Sequence, residues 1–324
     1  MQELVSIIIP TYNRAHLIGQ TLDSVLDQTY THWECIVVDD GSNDYTDELL
    51  ELYTERDSRI KYHHRPADRL KGANACRNYG FELSKGAYIQ WFDSDDLMLN
   101  SMLESRTSQL VKYSKIDFVV SSMGLLDGIN RIIDHKKNPE ISENGYIIKM
   151  FLVGAYLPYN VSRTLYKRSV VQQISFNEFL QRFQDVDFNL KLLINQNPTF
   201  KFVDILDCYY RLNKSKYHNS VFVNNMFYNL YIFYQSIFAT LDKTTKQNLK
   251  QQLAVKLFQF IKAYYKKDTP IKLGMNLIFY FKRELKLSSR KVVILILIIL
   301  CKRNWYDRKG YFRIANFLSK AIGE

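Results

Sequence analysis

Three apolar runs in the first hundred residues each break off at a polar cluster, and this repetition limits the folds open to the chain. Residues 4–10 are rich in β-branched side chains and stop before Thr11-Tyr12-Asn13-Arg14. Residues 35–38 end in Asp39-Asp40-Gly41-Ser42, and residues 88–92 end in Asp93-Ser94-Asp95-Asp96. Short runs bounded by polar turns read as strands buried on both faces. Between them Leu17, Ile18, Leu22, Val25 and Leu26, then Leu49, Leu50 and Tyr53, then Ala75, Cys76, Tyr79 and Leu83 recur at helical spacing. Strand–helix alternation with short connections predicts an α/β fold, a mostly parallel sheet flanked by helices with right-handed crossovers. The carboxyl ends of such strands share one edge, where open α/β sheets hold their ligands. Pro10, Asp40 and Asp93 are therefore expected in one cleft.

Asp93, Asp95 and Asp96 crowd three carboxylates into four positions. Acids this close repel one another unless a cation offsets them. The stretch reads either as a divalent-metal site with oxygen ligands that holds a diphosphate, or as a solvated Asp-rich turn opening a helix. Further on, residues 118–122 and 200–210 are strand-like, residues 129–133 suit the return strand of a hairpin, and residues 138–157 read as a variable loop with a short helix. Residues 181–195 form a helix start with Asp185 and Asp187 in its first turns, where carboxylates also suit the positive end of a helix. From about residue 221 the chain reads as helical to its end.

The net charge of +11 is unevenly spread, with 9 Lys/Arg against 17 Asp/Glu in residues 1–100 and 19 against 5 in residues 241–324. The tail is also rich in aromatic residues, which points to an anionic partner, lipid headgroups or nucleic acid. No basic-aromatic sheet or zinc motif accompanies the charge, so nucleic acid is not expected. In residues 273–303 apolar side chains alternate with Lys282, Arg283, Lys286, Arg290 and Lys291, as in helices that lie in a membrane interface. A helical cap on the preceding α/β part of the chain and a homodimer interface are the alternatives. The longest apolar run, residues 292–300, is nine residues where roughly 20 are needed to span a bilayer. Cys35, Cys76, Cys208 and Cys301 show no ligand or pairing spacing and read as reduced thiols. With no leader pattern at its amino terminus, the chain is expected in the cytoplasm, peripheral to the inner face of the cell membrane.

Four landmarks stand in order: Ile-Ile-Pro-Thr-Tyr-Asn-Arg at 8–14, Val-Val-Asp-Asp-Gly-Ser at 37–42, Phe-Asp-Ser-Asp-Asp at 92–96 and Gln-Asp at 184–185, with Arg77-Asn78-Tyr79-Gly80 before the third. This ordered set resembles the family 2 glycosyltransferases of the GT-A (Rossmann-like) fold over residues 4 to about 215. The resemblance implies a catalytic domain over residues 1–220, followed by a basic helical region over 221–324. It implies inverting transfer of a sugar from a nucleotide-diphosphate donor, a UDP-sugar, to a hydroxyl of a glycan or lipid-linked acceptor in surface-polysaccharide assembly, with Mn²⁺ or Mg²⁺ as cofactor.

By the same resemblance Pro10, Thr11 and Tyr12 line the nucleotide pocket, and Asp40 contacts a uracil-type base while Asp39 serves local structure. Asp93 touches ribose or metal, with Ser94 beside it. Asp95 is the first metal ligand, and Asp96 is an alternative metal or sugar contact. Arg69 and Arg77 are donor or phosphate contacts, whereas Lys71 reads as a solvated face. Asp185 is the general base and Asp187 a capping carboxylate. Two departures stand out. Gln184 replaces the family's usual Glu, and Asn213 stands where a His is usual, leaving His218 as a metal ligand from a longer loop or as a surface residue. These departures motivate the alternative of a catalytically silent, nucleotide-sugar-binding partner of another transferase. His16, His32, His63, His64 and His135 read as ordinary loop or strand residues.

Overall fold

The β-branched run near the amino terminus becomes strand β1 (Val5–Thr11), buried at every position and flanked on both sides by parallel strands. In this computed structural model, residues 2–127, 132–136, 138–139, 141–154, 156–212, 220–306 and 310–323 are described. Helix α1 (Ala15–Leu26), β2 (Trp33–Asp39), α2 (Thr46–Arg56), β3 (Ile60–His64), α3 (Ala73–Leu83) and β4 (Tyr88–Trp91) follow in the predicted alternation. The order β3-β2-β1-β4 is parallel throughout, with Thr11 opposite Asp39 and Ile8 opposite Trp91. Alternate residues of β2 face opposite sides. Cys35 and Val37 join the α1 and α2 side chains Ile18, Leu22, Val25 and Leu50, while Ile36 and Val38 meet Cys76 of α3.

Helix α3 lies so close to the sheet that a Cβ on Gly80 would come within 2.6 Å of Ile8 Cγ2. The glycine of the Arg-Asn-x-Gly motif is thus a packing requirement.

Beyond β4 the pairing changes. The chain continues through β5 (Leu97–Met98), α4 (Met102–Lys112), β6 (Phe118–Leu126), β7 (Ile132–Lys136), α5 (Asn144–Val153), a 3₁₀ turn (Val161–Arg163), β8 (Thr164–Lys167), α6 (Arg168–Val171), α7 (Gln184–Gln196) and β9 (Phe200–Arg211). The full order is β3-β2-β1-β4-β8-β6-β9-β5, with β7 antiparallel on β6. Strand β8 runs antiparallel to both β4 and β6, while β9 is parallel to β6. The result is a mixed sheet flanked by helices, the GT-A architecture expected from the motifs. The hairpin strand expected at 129–133 lies at Ile132–Lys136, and residues 128–131 fall outside those described.

Two buried clusters bind the sheet together. The Trp91 ring is boxed by Tyr166, Phe176 and Phe188 at centroid distances of 5.4, 5.3 and 4.9 Å. Arg106 of α4 makes a two-pronged pair with Asp207 of β9, at 2.8 and 2.6 Å, and also donates to Gln90 Oε1 on β4 and the Ser162 carbonyl.

Contacts group the chain into two units, Met1–Ile148 with Tyr156–Asn213, and Lys149–Ala155 with Lys214–Glu324. The second contains α8 (Ser220–Thr240), α9 (Lys243–Tyr264), α10 (Ile271–Leu285), α11 (Ser289–Asn304) and α12 (Tyr311–Gly323). Helix α9 packs on α10, α11 and α12, and α10 packs on α8 and α11. Aromatic side chains fill this core, with Tyr234 edge-on to Phe281 at 4.6 Å and Phe227 to Tyr265 at 5.6 Å. Among the described residues no helix is long and apolar enough to cross a membrane.

Candidate active site

The parallel pairing delivers the ends of β1, β2 and β4 to one edge, and their loops interlock. Asn13 adopts a left-handed backbone (φ 52°), which a short polar side chain tolerates. Its amide donates to Ser42 Oγ at 2.8 Å, and its Oδ1 accepts from the Asn43 amide at 2.9 Å. Asp39 Oδ2 accepts from the amides of Gly41 and Ser42 at 3.0 and 2.8 Å, which folds the turn after β2. Asp40 accepts on Oδ1 from Arg65 Nε at 2.6 Å and from the Gly72 amide at 3.0 Å. Tyr12, directly after the last residue of β1, stands half exposed, with the Lys71 ammonium 4.2 Å from its ring centroid.

The carboxylate cluster is held from behind. Thr21 Oγ1 of α1 donates toward the carbonyls of Ser94 and Asp96, at 3.1 and 2.8 Å. The amide of Arg211, at the end of β9, donates to Asp96 Oδ1 at 3.1 Å, and Arg211 Nε donates to the Asp95 carbonyl at 3.0 Å. Arg14 Nε approaches Asp95 Oδ2 at 3.7 Å. Burial pushes the Asp95 carboxyl up, with the Asp93 charge adding to it and Arg14 opposing. Burial, then Asp93 and Asp95, push Asp96 well above the usual carboxylate range. The side chains of this cluster are therefore under mutual repulsion that a cation would relieve.

Arg77 of α3 links this cluster to the second half of the sheet. Its guanidinium donates to Asp93 Oδ1 at 2.8 Å, to Gln184 Oε1 at 3.0 Å and to Asn74 Oδ1 at 3.1 Å. Burial works against the Arg77 charge, but Asp93 and Asp185 outweigh it and hold the group protonated. Asp185 follows Gln184 in the first turn of α7, after Phe183 in a left-handed conformation (φ 60°) that is strained for a bulky residue. Asp185 Oδ2 accepts from the Val161 amide at 3.3 Å. Burial raises its carboxyl to about 6; Arg77 and the Val161 amide oppose the rise, and Asp93 adds to it.

Asp187 does not cap α7 as expected. It is buried and reaches forward to Lys191 at 2.7 Å, and the amino end of the helix has no side-chain cap.

A cavity of about 450 Å³ opens over this group, lined among others by Arg77, Asp93, Tyr159, Asn160, Gln184 and Asp185. Its volume suits a sugar-sized ligand.

The expected residues divide clearly. Pro10, Thr11, Tyr12, Asp40, Asp93, Ser94 and Asp95 lie at or beside one sheet edge, and Arg77 joins that edge to Asp185. Arg69 turns to Glu82 at 2.6 Å and lies 4.0 Å from Glu178. His218 lies outside the described residues.

Sequence reasoning passed over Arg14, Thr21 and Arg65, and over the duty of Asn78. Asn78 Nδ2 donates to the Phe176 carbonyl at 3.0 Å while its Oδ1 accepts from the Phe176 amide at 2.9 Å. Asn74 Nδ2 donates to the Asn177 carbonyl at 2.7 Å. These bonds fix the segment leading into Asp185. The adjacency of Asn78 to Arg77 was the available signal. His64 also approaches Asp39 and Asp47, but Asp39 is already engaged in its turn and Asp47 accepts from Tyr62.

The donor set fits a hard divalent cation. The ligands on offer are all carboxylate oxygens, and Asp96 Oδ2 is buried with no hydrogen-bond partner among the described residues. Thr11 Oγ1 and Arg77 Nε are in the same condition. Unpaired buried polar atoms cost about 1–3 kcal/mol each, so three within one set of motifs call for a ligand.

Comparisons with known proteins point the same way. The sequence profile described as Glycosyl transferase family 2 matches residues 6–175. The UDP-Glc:alpha-D-GlcNAc-diphosphoundecaprenol beta-1,3-glucosyltransferase WfgD of Escherichia coli is 34% identical over 157 residues, 48% of this chain and 54% of that protein. The chain thus spans about half of this relative's length, and about two fifths of the Streptococcus pneumoniae glycosyltransferase GlyG, to which it is 34% identical over 122 residues. Among solved structures, S. aureus TarS 1–349 in complex with UDP-GlcNAc superposes with a TM-score of 0.66 at 18% identity, covering 98% of this chain and 90% of that one. With the profile covering more than half of the sequence and the fold matching end to end, the chain belongs to glycosyl transferase family 2.

Proposed function

We propose that this chain is an inverting, metal-dependent glycosyltransferase. It moves a sugar from a nucleotide-diphosphate donor, a UDP-sugar, to a hydroxyl of a glycan or lipid-linked acceptor in surface-polysaccharide assembly at the inner face of the cell membrane. Residues 1–220 carry the chemistry and residues 221–324 the basic helical region. The observation that carries this reading is Arg77, which joins Asp93 of the carboxylate cluster to Gln184 beside Asp185 at the wall of one cavity. WfgD, a named transferase onto a diphosphoundecaprenol-linked sugar, supports the acceptor class. A mannosyltransferase from Pyrobaculum calidifontis, solved with GDP-Man and Mn²⁺, shares the fold at a TM-score of 0.55 with 16% identity, over 95% of this chain and 89% of that one.

The chemistry follows from the residues. The acceptor hydroxyl enters the cavity, and Asp185 takes its proton as the oxygen bonds to the anomeric carbon. The bond to the diphosphate oxygen breaks on the opposite face, through an oxocarbenium-like state as in glycoside hydrolysis. Asp95, with Asp93 beside it and Asp96 as the alternative ligand, would hold Mn²⁺ or Mg²⁺, which would supply charge neutralisation for the departing diphosphate. Asp40 reads the base, keeping Oδ2 clear of the two contacts that fall on Oδ1. A carboxyl near 6 suits a general base working close to neutral pH. Gln184 accepts from Arg77 through Oε1 as a carboxylate oxygen would, which weighs against a catalytically silent partner.

The test is transfer and donor hydrolysis by the purified chain across UDP- and GDP-sugars with Mn²⁺ or Mg²⁺. Turnover that EDTA abolishes, and that Asp95→Ala lowers, is expected. Donor binding that neither EDTA nor Asp95→Ala weakens would remove the metal from the reading. Donor binding without any turnover would return the silent partner.

A further inference from the structure

Helix α11 is apolar on both of its sides. Val292, Leu295, Ile298 and Ile299 are buried in the helical unit, yet Val293, Leu297 and Leu300 stand on the other side at 52, 40 and 38% exposure. A helix apolar all round belongs in a protein core or in lipid, and this one has a bare stripe. The stripe runs into an aromatic corner. Trp305 and Tyr306 are exposed, the Tyr306 ring touches Tyr311 at 5.2 Å, and Tyr311 touches the exposed Phe312 at 5.4 Å. On α12, Arg313, Phe317 and Lys320 share the exposed side at helical spacing. Arg290 stands one turn before Val293, and the exposed Arg303 follows Leu300. Residues 289–323 hold eight Lys/Arg against one Asp/Glu.

We infer that α11 and α12 form a docking surface for an anionic lipid bilayer. The apolar stripe and the aromatic corner sit at the acyl boundary, and the arginines and lysines sit at headgroup level. Charge chooses this occupant over a second copy of the chain. A two-fold contact through the patch would set one cationic surface against its twin, whereas anionic headgroups complement it. Because none of the described helices can cross a bilayer, the contact lies in the plane of the interface. The inference is independent of the transfer chemistry, since it uses only the helical unit.

Flotation of the full chain with phosphatidylglycerol-containing vesicles, and with pure phosphatidylcholine vesicles, tests it across a salt series. Binding to the anionic vesicles alone, released as salt rises, is expected. Two paired variants separate the contributions. Leu297→Asp with Phe312→Ser removes the apolar contact, and Arg303→Glu with Arg313→Glu reverses two charges; all four positions are exposed. Each pair should lower the bound fraction on the order of tenfold or more, with far-UV circular dichroism unchanged. Of the three tryptophans only Trp305 is exposed, so a blue shift of emission with anionic vesicles reports its burial directly. Equal flotation with both vesicles, or none at low salt, overturns the inference. So does a patch whose variants split a dimer in light scattering while flotation persists.

Discussion

From β3 through β4 the strands run parallel and bring Thr11, Asp39, Asp40 and Asp93 to one edge, each at or just beyond a strand end. From β8 through β5 the directions mix, and the residues facing the cavity arrive on a 3₁₀ turn, a strained helix start and the far end of a long strand. In the first half, position along the chain and position in the site are nearly the same thing. In the second, side-chain hydrogen bonds put each piece in place. The edge made by the ends of β1, β2 and β4 is thus built by backbone pairing, and the cavity side by a handful of buried polar contacts that α3 and α4 extend across the sheet.

Three substitutions press on this contrast. Asp185→Asn should give the largest effect, a loss of transfer of about a hundred- to ten-thousand-fold, with donor affinity retained by calorimetry. Its pH behaviour has a definite sign. The folded carboxyl sits near 6, above its unfolded range, so it favours the fold at low pH and loses that contribution as pH rises through 6. The Asn variant should therefore melt at or above the parent at neutral pH, and activity of the parent should fall as pH drops below about 6. An Asp185→Asn protein that transfers normally would end the assignment of the base.

Arg106→Leu should come next, costing about 3–5 kcal/mol in denaturant unfolding because it strands the buried Asp207 carboxylate. A loss below 1 kcal/mol would show that β9 is held by strand pairing alone. Asn78→Ala is the smallest, about 1–3 kcal/mol from the unpaired Phe176 amide. It should depress transfer while UDP-sugar binding stays level. An equal fall in donor binding would mean that the two halves are not separately built.

Legibility in the sequence follows the same division. The strands β1, β2 and β4 and the helices α1 to α3 could be read from periodicity because these strands are buried on both faces and these helices are amphipathic, whereas β3 is a part-exposed edge strand. Asp93 and Asp40 could be read because a contiguous motif carries them. Strand β8 could not: Thr-Leu-Tyr-Lys is four residues long, and what makes it a strand is its partners on either side. Asp185 was visible only through its place in the family's order of landmarks, since an acid in the first turn of a helix also reads as a cap. The Arg77 bridge spans 107 positions to Gln184, a separation at which spacing carries no information. In the helical unit the apolar pattern gave the helices, but the bare side of α11 emerges only from packing, because both of its sides look like core.

Helix α3 ends up with three obligations within seven positions: Gly80 leaves no room against Ile8, Arg77 bridges the two carboxylate groups, and Asn74 and Asn78 clasp the backbone of residues 176 and 177. It packs on the parallel half of the sheet and grips the segment that leads to the cavity. A segment transplanted from a relative in place of residues 172–196 would therefore have to present main-chain groups at 176 and 177 in register with these two asparagines. Grafts that respect that seam should keep Asp185 at the cavity wall, and grafts that cut across it should lose that placement.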